Sequence, residues 1–155
     1  MKIYLAGSLF TLAERLFNTQ LAAELRRKGF GVWLPQDHEP REFSTGAIFT
    51  MDVSGINHSD IVLACMDGAD PDSGTAWECG YAYAKGKMVV CYRTDFRGVG
   101  EAGQCEYNIM LWEGSDHRVK YSCLIAENNS IEGLADALEK ALKETNHHSL
   151  YPQPV

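Results

Sequence analysis

The stretch DSGTAWECGYAYAKGK, from Asp72 to Lys87, places one carboxylate in unusual company. Glu78 lies between Trp77 and Cys79, among small and aromatic residues that recur at helical spacing. Its i+3 and i+4 neighbours, Tyr81 and Ala82, offer no cation, and Lys85 is two turns away. A glutamate near a helix N-terminus is favoured by the helix dipole without any further role. The spacing leaves a chemical role for this carboxylate equally open. Two aspartates raise the same choice. Asp72 precedes Ser73-Gly74 and reads as a helix cap. Asp52 sits within AIFTMDVSGIN beside Ile48, Phe49 and Ile56, and a carboxylate on an apolar face needs a partner or a purpose. Asp60, before an apolar run, reads as a turn or cap. Tyr4 lies inside the first apolar run, either as a core residue or with its hydroxyl at the end of a sheet.

The elements that must position these residues alternate along the chain. KIYLA, FGVWLP, DIVLACM, MVVCY and KYSCLIA are short apolar runs bounded by turn residues and read as strands. Helices are predicted from about Thr11 to Lys28, from Ser44 or Thr45 to about Asn57, from Asp72 or Ser73 to near Gly86, and after a Ser130 cap. The first carries Ala13, Phe17, Leu21 and Leu25 on one face, and the last carries Ile131, Leu134, Leu138 and Leu142. The stretch from Arg93 to Val119 reads as irregular, with a helical piece around Asn108 to Trp112. Residues 146–155 read as a tail.

Continuous apolar strands alternating with helices predict one α/β domain over residues 1–155, with a parallel sheet and helices on both faces. Ligands of such sheets bind beyond the carboxyl ends of the strands. Those ends carry Gly7-Ser8, Gln36-Asp37, Asp67 to Ser73, and Arg93 onward, and Glu78 follows the third. Gly7-Ser8 hints at a phosphate loop, but no GxGxxG or P-loop accompanies it. Neither a nicotinamide nor an ATP cofactor is supported.

Bulk properties narrow the function. Fourteen Lys and Arg against 21 Asp and Glu give a net charge of −7, which argues against nucleic acid as a partner. The five cysteines form no CxxC pair and several lie in apolar runs, so they read as reduced core residues of a cytoplasmic protein. The histidines show no metal-ligand spacing, and no run is long enough to cross a membrane.

Taken together, IYLAGSLFTLAERLFN, MDVSGINHSDIVLA, DSGTAWECGYAYAKGK and YNIM resemble the nucleoside 2-deoxyribosyltransferase family. They occur in family order through about four fifths of the chain, and the third, G-x-x-x-E-x-G-Y-A, is the most specific. The resemblance implies a flavodoxin-like fold with a five-stranded, mostly parallel sheet, an oligomer, and no cofactor. It implies transfer of 2-deoxyribose between nucleobases through a covalent glycosyl-enzyme, with 2-deoxynucleosides and free nucleobases as substrates. It places the nucleophile on Glu78, base-contacting aspartates on Asp52 and Asp72, and a tyrosine touching the nucleophile on Tyr4. It places a sugar-binding asparagine, given to a neighbouring subunit, on Asn108, with Met110 beside it. Gln36 matches a base-contacting glutamine, and Gly7 and Ser8 line the substrate site. Some members use a terminal carboxylate for the sugar, and the ending LYPQPV does not match theirs, which leaves Tyr151 and Val155 without that role.

Such a reaction needs one ionised carboxylate, two inversions at C1′, and an acid for the departing base, which is Asp72 or Asp52. A hydrolase of nucleoside 5′-monophosphates is the nearest rival. It needs a phosphate cradle, for which Ser8 and Ser73 are thin support, and it usually has a first loop richer in glycine and arginine than GSLFTLAERLFN. A phosphoribohydrolase with PGGxGTxxE ranks lower, because DPDSGTAWE lacks the PGG. A non-catalytic nucleotide-binding module would need no nucleophile.

Overall fold

The computed structural model describes residues 1–98, 100–122, 124 and 128–144. Strands and helices alternate as β1 (Lys2–Ala6), α1 (Leu12–Arg27), β2 (Gly31–Trp33), α2 (Thr45–His58), β3 (Ile61–Cys65), α3 (Ser73–Ala84), β4 (Met88–Arg93), α4 (Ile109–Glu113), β5 (His117–Lys120) and α5 (Ile131–Glu144). All pairings are parallel, in the order β2-β1-β3-β4-β5. This is the flavodoxin-like order, whose direction reverses between β1 and β3.

The period of two along each central strand divides the core into two layers. Ile3, Leu5, Ile61 and Leu63 face one side, where Leu21 and Leu25 of α1 meet Leu134, Leu138 and Leu142 of α5. Tyr4, Ala6, Val62 and Ala64 face the other, against Ile56 of α2 and Cys79 and Ala82 of α3. The five helical leucines are at most 1% exposed, and each contributes roughly 1.5–3 kcal/mol by leaving water. This alternation fixes the side on which Tyr4 emerges. It is the side on which α2 and α3 carry their carboxylates.

The helix ends follow their cap residues. Thr11 and Glu14 form a reciprocal capping box on α1. Ser44 caps α2, Asp72 caps α3, and the Ser130 hydroxyl accepts from Gly133 N–H at the start of α5. Gly86, with φ of 66°, ends the turn after α3 in the left-handed region. Gly55 serves a close approach instead. A Cβ there would lie 2.5 Å from Trp33 Nε1, so only glycine lets α2 rest on the indole of β2. Trp33 in turn stacks on His38 at 3.9 Å between ring centroids.

The fifth strand departs from the sequence expectation. It is His117–Lys120, and only Lys120 of KYSCLIA belongs to it. Tyr121, Ser122 and Leu124 lie outside the strand, and Cys123, Ile125 and Ala126 fall outside the described residues. β5 pairs only with β4, through Val90↔His117 to Arg93↔Lys120. An edge strand is covered less completely than a central one, so alternating HRVK suffices where an apolar run is not needed. The second strand is also shorter than FGVWLP, because Pro35 opens a 3₁₀ turn over Pro35–Asp37. The tail expected over residues 146–155, with Tyr151, Val155 and the two adjacent histidines, lies outside the described residues. Among the described cysteines, Cys65, Cys79, Cys91 and Cys105 are free thiols, and Cys79 and Cys91 are buried. No helix among the described residues is long and apolar enough to cross a membrane.

Candidate active site

Three of the predicted residues converge between α2 and α3. The Tyr4 hydroxyl donates to Glu78 Oε1 at 2.5 Å. Tyr4 is fully buried, and its hydroxyl also interacts with Asp52. Asp52 and Glu78 face each other across a cleft of about 460 Å³, lined also by Ile48, Phe49, Gly74 and Trp77. Trp77 and Phe49 form its aromatic wall, with ring centroids 5.4 Å apart and both rings about half exposed.

This setting moves the acidities. Burial pushes the Glu78 carboxyl up to about 7, and the nearby charges of Asp52 and Asp72 act in the same direction. The hydrogen bond from Tyr4 opposes them by stabilising the ionised form. Burial also raises the Asp52 carboxyl, again against a hydrogen bond from Tyr4. Burial, the Glu78 charge and the bond to Glu78 hold the Tyr4 phenol well above its ordinary range, so it stays a donor. The cleft therefore holds a carboxyl poised near neutrality, a second carboxyl of raised pKa, and a fixed hydroxyl that interacts with both. That is the equipment of nucleophilic catalysis with proton transfer.

Asp72 sits at the turn into α3. Its Oδ2 accepts from Thr75 N at 3.0 Å and from the Thr75 hydroxyl at 3.3 Å, so the capping function is realised. It is close enough to Glu78 to raise that group's pKa, yet it lines a different cavity. This second cavity, of about 320 Å³, holds Ser8, Glu14, Asn18, Cys65, Asp67 and Asp72. Gly7 lies where β1 and β3 come together, and a Cβ there would meet Cys65 Cβ at 3.3 Å.

Like Gly7 and Ser8, three further predicted residues lie outside the Glu78 cleft. Asn108 and Met110 line a cavity of about 600 Å³ together with Ala76, Gly80 and Tyr83. That is the face of α3 opposite to Gly74, Trp77 and Glu78. Asn108 instead caps α4, accepting from Met110 N at 3.0 Å and donating to Glu101 Oε1 at 3.2 Å. Met110 is 78% exposed. Gln36 is tied to α1, where its Nε2 donates to Arg15 O and Thr19 Oγ1, both at 2.9 Å.

Sequence reasoning missed the group that shapes the loop before α3. Arg93 is 1% exposed at the end of β4. Its guanidinium donates to the carbonyls of Met66, Gly68 and Arg97 and faces Asp95 at 3.7 Å. The Asp67 carboxylate closes the same junction by accepting from Thr94 N, Thr94 Oγ1 and Asp95 N. These bonds pin the loop from β3 to Asp72 against the end of β4. The one sequence signal was a cation ending the apolar run MVVCY. Phe49 and Trp77 were also missed as cleft walls, since aromatic residues on a helix read equally as core.

Comparisons with known proteins identify the family and the fold. The family model described as nucleoside 2-deoxyribosyltransferase matches residues 3–110, which include Tyr4, Asp52, Asp72, Glu78 and Asn108. The structure is similar to that of a conserved protein from Enterococcus faecalis V583, with 28% identity and a TM-score of 0.69, covering 91% of this chain and 98% of that one. It is similar to a 2-deoxyribosyltransferase from Bacillus psychrosaccharolyticus, with 26% identity and a TM-score of 0.63, covering 76% of this chain and 85% of that one. A CMP N-glycosidase from Clostridium botulinum shares the fold at 20% identity and a TM-score of 0.62, covering 90% and 99% of the two chains. A comparison with curated protein sequences returned no match. On the extent of the family match, the chain belongs to the nucleoside 2-deoxyribosyltransferase family.

Proposed function

We propose that this protein transfers 2-deoxyribose from a 2-deoxynucleoside to a second nucleobase through a glycosyl ester on Glu78. The observation that carries the reading is the 2.5 Å bond from Tyr4 to Glu78 in a cleft shared with Asp52. In the first half-reaction a Glu78 oxygen bonds to C1′ as the C1′–N bond breaks. The bonding pair leaves with the base, which takes a proton from Asp52. In the second, a nitrogen of the incoming base bonds to C1′, the ester C–O bond breaks, and the acceptor's proton returns to Asp52. Two inversions give net retention. Asp52 suits the proton transfers because its pKa is raised, whereas Asp72 Oδ2 is committed to Thr75. Phe49 and Trp77 offer faces on which a planar base can stack. Asn108 and Met110 would serve the cleft of a neighbouring copy, since they lie on the far side of α3 from their own Glu78.

The test follows bases and nucleosides by chromatography. Deoxyinosine with adenine is expected to yield deoxyadenosine and hypoxanthine, and deoxycytidine with adenine serves as the pyrimidine donor. Free base without a new nucleoside would assign the ester to attack by water, and the protein to hydrolysis.

The role of Tyr4 has its own signature. Its bond favours ionised Glu78, so Tyr4→Phe should move the rising limb of the pH profile of kcat/KM above its position near 7. The expected loss is about tenfold at pH 6 and smaller at pH 9, as one pKa unit would give. An equal loss at every pH would show that Tyr4 serves packing alone.

A further inference from the structure

The turn after β1 carries the donors of an anion site, and the protein fills them itself. Glu14 Oε2 accepts from Phe10 N at 3.0 Å and from Thr11 N at 2.7 Å. The Ser8 hydroxyl bonds to the same carboxylate and, with Thr11, holds it below the ordinary glutamate range, so it is ionised at neutral pH. Glu14 thus takes up two backbone donors of the kind that can hold an anion at a helix start.

Two further carboxylates line the cavity on which Glu14 opens. Asp67 and Asp72 complete an acidic lining with Ser8, Asn18 and Thr94, and no lysine, arginine or histidine among the described residues joins it. The polar groups there are already engaged. Asn18 Nδ2 donates to Ser8 O at 3.0 Å, and the Thr94 hydroxyl donates to Asp67. Arg93, on the same rim of strand ends, spends its two terminal guanidinium nitrogens on three carbonyls and Asp95. Asp72 joins this cavity to the Glu78 cleft, because its Oδ2 lies 3.0 Å from where a Cβ on Gly74, a lining residue of that cleft, would stand.

We infer that Glu14 is a specificity residue that disfavours substrates carrying a 5′-phosphate. The inference rests on the proposed nucleoside site at Glu78 and names the state of its substrate. A dianionic phosphate entering beside Asp72 would meet like charge from Glu14 and Asp67 and find its backbone donors occupied. The capping box alone explains why Glu14 helps α1 to fold. It does not require the carboxylate to line a cavity with two other acids.

Glu14→Gln separates these roles, because the amide keeps an acceptor for the box while removing the charge and adding a donor. Binding of 2-deoxyadenosine, 2-deoxycytidine and their 5′-monophosphates would be measured by calorimetry in Glu78→Gln, which prevents turnover, with and without Glu14→Gln. The nucleosides are expected to bind at least about tenfold more tightly than their monophosphates, as one like-charge contact allows. Glu14→Gln is expected to narrow that ratio about fivefold or more. A ratio unmoved by Glu14→Gln, or monophosphates bound as tightly as nucleosides before the change, would overturn the inference. So would binding of neither ligand class, which would also remove the nucleoside site. A narrowed ratio without any transfer by the unaltered protein would sustain the inference and reject the transferase reading. Thermal melts of both proteins, with Glu14→Ala as the variant that breaks the box, identify any effect due to loss of helix α1.

Discussion

Glu78→Ala is expected to lower base exchange by a factor on the order of 10⁴ or more, the scale seen when a covalent nucleophile is deleted. The geometry leaves no substitute. Asp52 interacts with the same Tyr4 hydroxyl from α2, so it stands on the opposite wall of the cleft from Glu78. Asp72 has Oδ2 bound into the α3 cap. The loss should be chemical and not structural, since Glu78 is half-buried at the cleft surface and truncation leaves the core layers intact. Azide supplied to the variant makes the test specific. With the carboxylate gone, azide can bond to C1′ as the base departs, giving a 2-deoxyribosyl azide by a single inversion. Recovery of donor cleavage with an inverted product would identify Glu78 as the group that bonds to the sugar. Loss of exchange below threefold would reject the covalent reading outright.

How much of this site was legible in the sequence depends on which physical constraint each residue answers to. Glu78 stood out because a carboxylate interrupts a small and aromatic helix face. Asp52 stood out for the same reason. Tyr4 read from its own strand as a core residue or one with its hydroxyl at the sheet's end, and only the family resemblance set it beside Glu78; in the structure residues 4 and 6 share one face of the sheet. Its contact with Glu78 needs β1 beside β3, a long-range fact that no local pattern contains. The side of α3 on which Asn108 falls depends in the same way on how α4 packs. β5 was misplaced because an edge strand with one partner needs little apolar content, so KYSCLIA looked the better strand than HRVK. Arg93 escaped because a cation ending an apolar run normally points to water. Its burial is made tolerable by carbonyls from a loop more than twenty residues away in sequence. Thr11-Leu12-Ala13-Glu14 is a visible capping box, but a box says nothing of the cavity its glutamate faces.

Glu78→Gln should abolish transfer and make the fold more stable above pH 7. In the folded chain burial holds this carboxyl near 7, against an ordinary value of 4.5. The folded state therefore binds its proton more tightly than the unfolded chain does. A raised folded pKa contributes stability that is fully present below about 4.5 and lost as pH rises through about 7. At pH 8 both states are ionised, and the folded one carries the charge at a cost of up to about 3 kcal/mol. Glutamine keeps the shape and an acceptor for Tyr4 without that charge, and its removal also relieves Asp52 and Asp72. Urea unfolding at pH 4, 6 and 8 would measure the difference. The variant should gain little at pH 4, an intermediate amount at pH 6, and about 2–3 kcal/mol at pH 8, where the gain levels off. A gain of the same size at all three would trace it to packing and not to charge. A loss at pH 8 would mean that the ionised carboxylate is stabilised in the cleft beyond what Tyr4 supplies. With the expected sign, a residue that lowers stability at neutral pH is the one proposed to carry the chemistry, because the burial that poises it near 7 is the same burial that costs the fold.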